Sequence, residues 1–163
     1  MTETNPEHWT WRADPLVPGP AVVFDIDGVL SDAASRQHYL EAPRRDWEGF
    51  FAACGDDPVI DEARTLLGLL DGELQIVLLT ARPDSVREMT VAWLKRYEVR
   101  WDLLIMRPAR DYTGSREFKR ASVGALRAGG FAIQLAVEDD RRNVEMFRAE
   151  NVPCVYFHSG YYD

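Results

Sequence analysis

Runs of apolar, largely β-branched residues recur along this chain at 21–24, 74–80, 103–106, 133–137 and 152–157, and polar-apolar stretches with a helical period lie between them. A short run that is apolar at nearly every position marks a strand buried on both faces, as in a parallel sheet, whereas a solvent-facing strand would alternate. The spacing predicts helices at 46–51, 84–97, 115–128 and 142–150. Asp57-Pro58 reads as an N-cap followed by proline at the first helical position, opening a further helix to about residue 70, which Asp71-Gly72 ends. Strand alternating with helix predicts an α/β domain with helices on both faces of the sheet. No internal repeat, low-complexity tract or linker between two cores interrupts the pattern, so residues 21–163 read as one domain. Residues 1–20 carry prolines at positions 6, 15, 18 and 20 and read as an N-terminal arm outside it.

The polar residues that interrupt this pattern fall where strands end. Asp25 and Asp27 follow the first apolar run, and Gly28 then frees the backbone for a turn. Thr80 closes the second run ahead of Arg82-Pro83, and Glu138-Asp139-Asp140 closes the fourth. In open α/β sheets ligands bind at the carboxyl ends of the strands. Three adjacent acids repel one another unless a cation sits among them. Asp-x-Asp-Gly alone is equally a turn signal. The calcium-loop reading fails, because Val29 and Arg36 occupy positions that must supply oxygen ligands. Lys119, on the helix 115–128, adds an ammonium group to the set.

This ordered set of aspartate pair, threonine, lysine and acidic pair resembles the haloacid dehalogenase superfamily of phosphohydrolases over nearly the whole span 21–157. Within it the chain is similar to the phosphatase domain of polynucleotide kinase-phosphatases. Arg36 eleven residues after Asp25, the arginine of Thr80-Ala81-Arg82 and the run from Leu135 to Arg148 carry that narrower likeness. The resemblance implies a three-layer α/β/α Rossmann-like fold with a five-stranded, mainly parallel sheet in the order 3-2-1-4-5 and no large cap domain.

It also implies roles. Asp25 would be the nucleophile of an aspartyl-phosphate mechanism. Asp27 would be the general acid and base, and Thr80 and Lys119 would bind the transferring phosphoryl group. Mg²⁺ would be held by Asp25, by the backbone carbonyl of Asp27 and by Asp139. The ungapped match makes Glu138 and Asp139 the acidic pair, and a shift by one residue would use Asp139 and Asp140 instead. Arg36 and Arg82 would grip substrate phosphates with their planar guanidinium forks. Each has a bland alternative: Lys119 as an exposed helix lysine, Arg36 and Arg82 as solvated surface residues.

Composition narrows the substrate. A net charge of −8 opposes a grip on duplex nucleic acid over many phosphates. It leaves room for a local basic collar formed by Arg36, Arg44, Arg45, Arg82, Arg107, Arg110, Arg116, Lys119 and Arg120. A site without a large cap admits the end of a polymer more readily than it encloses a small metabolite. The reading is therefore a Mg²⁺-dependent phosphomonoesterase that removes a terminal 3′ phosphate from DNA or RNA. A nucleotide or small-phosphoester phosphatase and a non-catalytic subunit of the same fold are the alternatives. No Gly-x-x-x-x-Gly-Lys-Ser/Thr loop occurs in the sequence, so a kinase or ligase partner would be another chain. Cys54 and Cys154 read as core thiols of a reducing cytoplasm. No apolar run is long enough to span a bilayer, and a cytoplasmic location with no membrane partner is expected. Trp93 and Trp101 read as core, Trp47 as an aromatic that could stack on a base, and His8, His38 and His158 as surface residues.

Overall fold

The computed structural model describes residues 6–41 and 43–162. In chain order they form β1 (Trp9–Trp11), β2 (Pro20–Phe24), α1 (Trp47–Ala52), α2 (Asp61–Leu69), β3 (Gln75–Pro83), α3 (Arg87–Arg96), β4 (Leu103–Arg107), α4 (Ser115–Ala128), β5 (Ala132–Glu138), α5 (Arg141–Ala149) and β6 (Cys154–Tyr156). Segments of 3₁₀ helix occupy Ala34–Leu40, Cys54–Asp56 and Asp84–Val86. The sheet order is β1-β4-β3-β2-β5-β6, with every pair parallel except β1 against β4.

Burial on both faces explains why the strands read as unbroken apolar runs. Successive side chains point to opposite faces of a strand. Ala21, Val23, Val77, Leu79, Leu103, Ile105 and Ala136 accordingly pack with Phe118, Val123 and Leu126 of α4 and Val144, Met146 and Phe147 of α5. The intervening Val22, Phe24, Ile76, Leu78, Leu104, Met106 and Val137 pack with Ala63 and Leu67 of α2 and Trp93 and Leu94 of α3. The result is the expected three-layer α/β/α arrangement, and β4-β3-β2-β5-β6 is the expected strand order.

Two expectations are corrected. The sheet has six strands among the described residues, because Trp9–Trp11 from the presumed arm pairs with Leu103–Ile105 as an antiparallel edge strand. Its driving force is tertiary: Trp9 and Trp11 each pack on Phe131, with ring centroids 6.2 Å apart in both cases. Three residues among prolines show no periodicity from which this could be read. Secondly, α2 begins at Asp61, and Asp57 lies before it as a fully buried residue rather than an N-cap.

Among the described residues between β2 and β3 the chain makes α1, α2 and short 3₁₀ segments, and no large cap covers the carboxyl ends of the strands. Cys54 and Cys154 are free and buried, Trp93 and Trp101 are core, and Trp47 is exposed. No helix among the described residues is long and apolar enough to cross a membrane.

Candidate active site

The period-2 logic of the strands continues past their ends and sets which carboxylates meet. Asp25 follows Phe24 onto the α4 side of the sheet, and Glu138, two residues after Ala136, falls on the same side of the neighbouring strand. Lys119 reaches between them from α4, and its Nζ donates to Asp25 Oδ1 at 3.0 Å and to Glu138 Oε2 at 2.7 Å. The other oxygen of Glu138 accepts from the backbone N–H groups of Asp139 and Asp140, which fixes the turn after β5.

This turn presents Asp139 to Asp25. Ligand oxygens of Asp25, Glu138 and Asp139 lie within 4.8 Å of one another, all buried. No well-formed hydrogen bond reaches either side-chain oxygen of Asp139, although the Asp25 carboxyl group and Ser159 lie beside it. Buried carboxylate oxygens rarely go unsatisfied. Burial, reinforced by Glu138, raises the Asp25 pKa well above the ordinary carboxylate range. Burial and the same neighbouring charge push Asp139 up to about 7. Unsatisfied hard oxygen donors that resist ionisation on their own are what a small divalent cation relieves, so the donor set fits one. Asp140 is excluded from the cluster by its own duties: its side chain caps α5 at the Arg142 N–H and pairs with the Arg142 guanidinium. The geometry therefore matches the Glu138-Asp139 register over the Asp139-Asp140 alternative.

The turn from Asp25 to Ser31 is pinned from below by Ile26, Val29 and Leu30, which are fully buried. The Ile26 carbonyl accepts from the N–H groups of Val29, Leu30 and Ser31. Gly28 sits at φ +85°, and a Cβ there would collide with Asp139 Oδ2. Both the backbone conformation and the contact therefore require glycine. Gly28→Ala is expected to displace Asp139 and to abolish divalent-ion binding measured by calorimetry; a variant that binds the ion as the parent does would contradict this.

Asp27, two residues on, belongs to a second network. Its carboxylate accepts from Arg36 Nη2 at 2.5 Å, from Arg82 Nη2 at 2.6 Å and from Arg82 Nε at 3.1 Å. Burial alone would raise its pKa, but the Arg82 and Arg36 charges and hydrogen bonds overcome that and hold it at about 2. Both arginines are at most 1% exposed. Arg36 is tied further to Asp57 through Nε at 2.8 Å and Nη2 at 2.6 Å, and to the Phe50 carbonyl. Arg82 donates to Thr90 and Ser31, and Ser31 donates to Asp57. Arg36 and Arg82 thus stand behind Asp27, with donors turned to Asp27, Asp57, Thr90, Ser31 and the Phe50 carbonyl. Thr80 is 1% exposed at the carboxyl side of β3, and its hydroxyl oxygen accepts from the Arg82 N–H at 3.1 Å.

Asp25, Asp139, Lys119 and Glu138 thus form one cluster, and Asp27 lies within two residues of it in the same turn, held by Arg36 and Arg82. The expected collar shrinks, because Arg36, Arg82 and Lys119 are buried and neutralised by carboxylates. Asp57 and Ser31 are the residues the sequence reading missed. An Asp-Pro pair before a helical pattern has the same local signature whether it caps a helix or enters the interior, and nothing in the sequence separates the two.

A Rossmann-like α/β/α domain that gathers an Asp-x-Asp-Gly turn, a strand-end threonine, a helix lysine and an acidic pair at the carboxyl edge of its sheet defines a phosphatase of the haloacid dehalogenase class. The family model described as the polynucleotide kinase PNKP phosphatase domain matches residues 19–162, and the chain belongs to that family. Comparison with curated proteins finds no match. Among solved structures, a chain of the Pnkp1/Rnl/Hen1 RNA repair complex is similar at a TM-score of 0.72 and 24% identity. That match covers 93% of this chain and 46% of the other, so this chain spans about half the length of its relative. The class C acid phosphatase of Bacillus anthracis is similar at a TM-score of 0.61 and 14% identity, over 89% of this chain and 68% of the other. The HAD domain of the effector Lem4 from Legionella pneumophila follows at 0.53 and 13%, over 89% of this chain and 90% of the other.

Proposed function

We propose that this chain is a Mg²⁺-dependent phosphomonoesterase that removes a terminal 3′ phosphate from a polynucleotide through an aspartyl-phosphate on Asp25. The observation that carries the reading is the buried Asp25–Lys119–Glu138–Asp139 cluster beside Asp27, within a chain of the polynucleotide kinase PNKP phosphatase domain family. Asp25, Asp139 and the backbone carbonyl of Asp27 would hold Mg²⁺. That ion would supply the positive charge that lets an anionic nucleophile approach an anionic phosphoryl group.

In the first half-reaction an Asp25 side-chain oxygen forms a bond to phosphorus. The bond from phosphorus to the leaving oxygen breaks, and that oxygen takes a proton from Asp27. In the second half-reaction water attacks phosphorus, Asp27 accepts its proton, and the bond to Asp25 breaks to release inorganic phosphate. Two guanidinium groups keep Asp27 anionic in the free chain, which suits the second half. The negative charge of a bound phosphomonoester raises the pKa of a nearby carboxyl group, which moves Asp27 toward the acid form needed in the first. Arg36 and Arg82 orient Asp27 between these duties. Lys119 keeps Asp25 aligned, since its charge is maintained by Asp25 and Glu138 in spite of burial. Thr80 would donate its hydroxyl proton to the phosphoryl group.

The substrate assignment is tested by phosphate release from oligonucleotides, DNA and RNA, phosphorylated at the 3′ or the 5′ end, and from mononucleotides, each with Mg²⁺ or EDTA. Release from 3′-phosphorylated strands in Mg²⁺ alone supports it. Equal turnover of mononucleotides would favour a small-substrate phosphatase, and binding of strands without turnover would favour a non-catalytic subunit. The relative in an RNA repair complex supports a search for a ligase or kinase chain that associates with this one.

A pH dependence follows from the raised Asp139. A proton and Mg²⁺ compete for the same carboxylates, and a group with a pKa of about 7 is protonated below that pH. Mg²⁺ affinity measured by calorimetry should therefore fall by roughly ten-fold or more for each pH unit below 7. A flat affinity between pH 6 and 8 would show that the ion does not displace this proton.

A further inference from the structure

The C-terminal segment borders the site at Ser159, which lies against Gly28, and with the start of α5 it forms a concavity that the reaction scheme does not use. This cleft of about 410 Å³ is lined by Arg45, Arg141, Arg142, Tyr156, Tyr161 and Tyr162, with Asp140 at its base. Its position is fixed against the acidic cluster at two points. Asp140 directly follows Asp139, and the Tyr161 hydroxyl donates at 2.9 Å to Asp32, which directly follows the turn carrying Asp25 and Asp27. Tyr162, which lines the cleft, is 54% exposed.

The lining has a specific chemistry. The Arg141 guanidinium lies 5.3 Å from the ring centre of Tyr156, and that of Arg142 lies 5.8 Å from the ring centre of Tyr162. Arg142 is neutralised by Asp140, but Arg141 and Arg45 have no ion pair among the described residues. The chain carries a net charge of −8, so a cleft with uncompensated arginines runs against the charge of the molecule as a whole. Aromatic faces backed by guanidinium groups stack nucleobases without regard to sequence, and arginine binds the phosphodiester between them.

We propose that this cleft is a subsite for the penultimate nucleotide of a single strand, the one on the 5′ side of the nucleotide that bears the terminal phosphate. The base would stack against the tyrosine faces, and its phosphodiester would lie between Arg45 and Arg141. The subsite rests on the polynucleotide reading above and makes it specific: the chain would recognise a strand end of at least two nucleotides rather than a terminal phosphomonoester alone.

The test compares kcat/KM for a dinucleotide carrying a 3′ phosphate with that for a nucleoside 3′-monophosphate, on the full chain in Mg²⁺. The parent should prefer the dinucleotide by ten-fold or more. Arg141→Ala and Tyr156→Leu should each reduce that preference several-fold. Arg45→Ala, on a loop apart from α5, should do the same, which guards against a loss caused by a disturbed helix. Against salt, the logarithm of dinucleotide kcat/KM should show a slope shallower by about 0.7 in Arg141→Ala, the value for one lost single-strand phosphate contact. An equal specificity constant for both substrates in the parent, or a preference that survives all three substitutions, would overturn the subsite while leaving the phosphatase reading in place. Hydrolysis of p-nitrophenyl phosphate without hydrolysis of either nucleotide would overturn the polynucleotide reading and the subsite with it.

Discussion

Replacing Asp25 with asparagine is expected to lower phosphate release by about 10⁴-fold or more, the scale on which enzymes lose activity when a nucleophile is removed. The same change should not weaken the fold. Asp25 is buried, and its pKa in the folded chain is raised well above the ordinary value by burial and by Glu138. A carboxylate whose folded pKa exceeds its unfolded pKa opposes folding at neutral pH, because ionisation costs more in the folded state. A neutral amide of the same shape removes that cost and can still accept the hydrogen bond from Lys119, while Lys119 keeps its ion pair with Glu138. Without added metal, the melting temperature of Asp25→Asn should therefore equal or exceed that of the parent. A large fall in melting temperature would mean that Asp25 is a structural partner of Lys119 and not a residue held in a costly state for chemistry.

Asp57→Ala is expected to have the opposite profile, a loss of stability of about 3–5 kcal/mol, because it strips a buried arginine of its main partner. Arg36 is 1% exposed and gives Nε and Nη2 to Asp57, which also accepts from Ser31. For a domain of this size that loss corresponds to a fall of roughly 10 °C in melting temperature. Asp57→Asn keeps an acceptor and loses the charge, so its effect should be intermediate. Asp61→Ala provides the contrast: its pair with Arg64 is largely exposed and should be worth no more than about 1 kcal/mol. Asp57 touches no member of the acidic cluster, yet its loss should also reduce turnover in whatever fraction stays folded, because Arg36 would no longer be fixed against Asp27. If Asp57→Ala melted with the parent, the buried arginine network would have little to do with holding this fold together.

The difference between Asp25 and Asp57 also marks how far the sequence could be read. The strands were legible because both faces of the sheet are covered, which leaves apolar runs that no surface segment would carry. Residues at their carboxyl ends, namely Asp25, Asp27, Thr80 and Glu138-Asp139, stood out because they break those runs at positions where an open α/β sheet binds ligands. The interior partners of Arg36 and Arg82 were not legible. An arginine's partner is set by tertiary structure: Arg82 meets an aspartate 55 residues before it, and Arg36 one 21 residues after it. Neither position differs in local sequence from a surface arginine. Asp57 was misread for the same reason, since its proline neighbour supplied a sufficient local explanation. The edge strand Trp9–Trp11 was missed because three residues carry no period, and its pairing depends on an exposed edge of β4 that the sequence does not announce.

The proposed reaction requires a phosphoryl group to become covalently attached to Asp25. The most direct test is an acid-quenched single turnover with a 3′-phosphorylated oligonucleotide radiolabelled in its terminal phosphate. The label should appear on the parent chain, be released by hydroxylamine as an acyl phosphate would be, and map to the peptide containing Asp25. Full hydrolysis of the oligonucleotide with no label on the chain at any quench time, or label on a different residue, would contradict it.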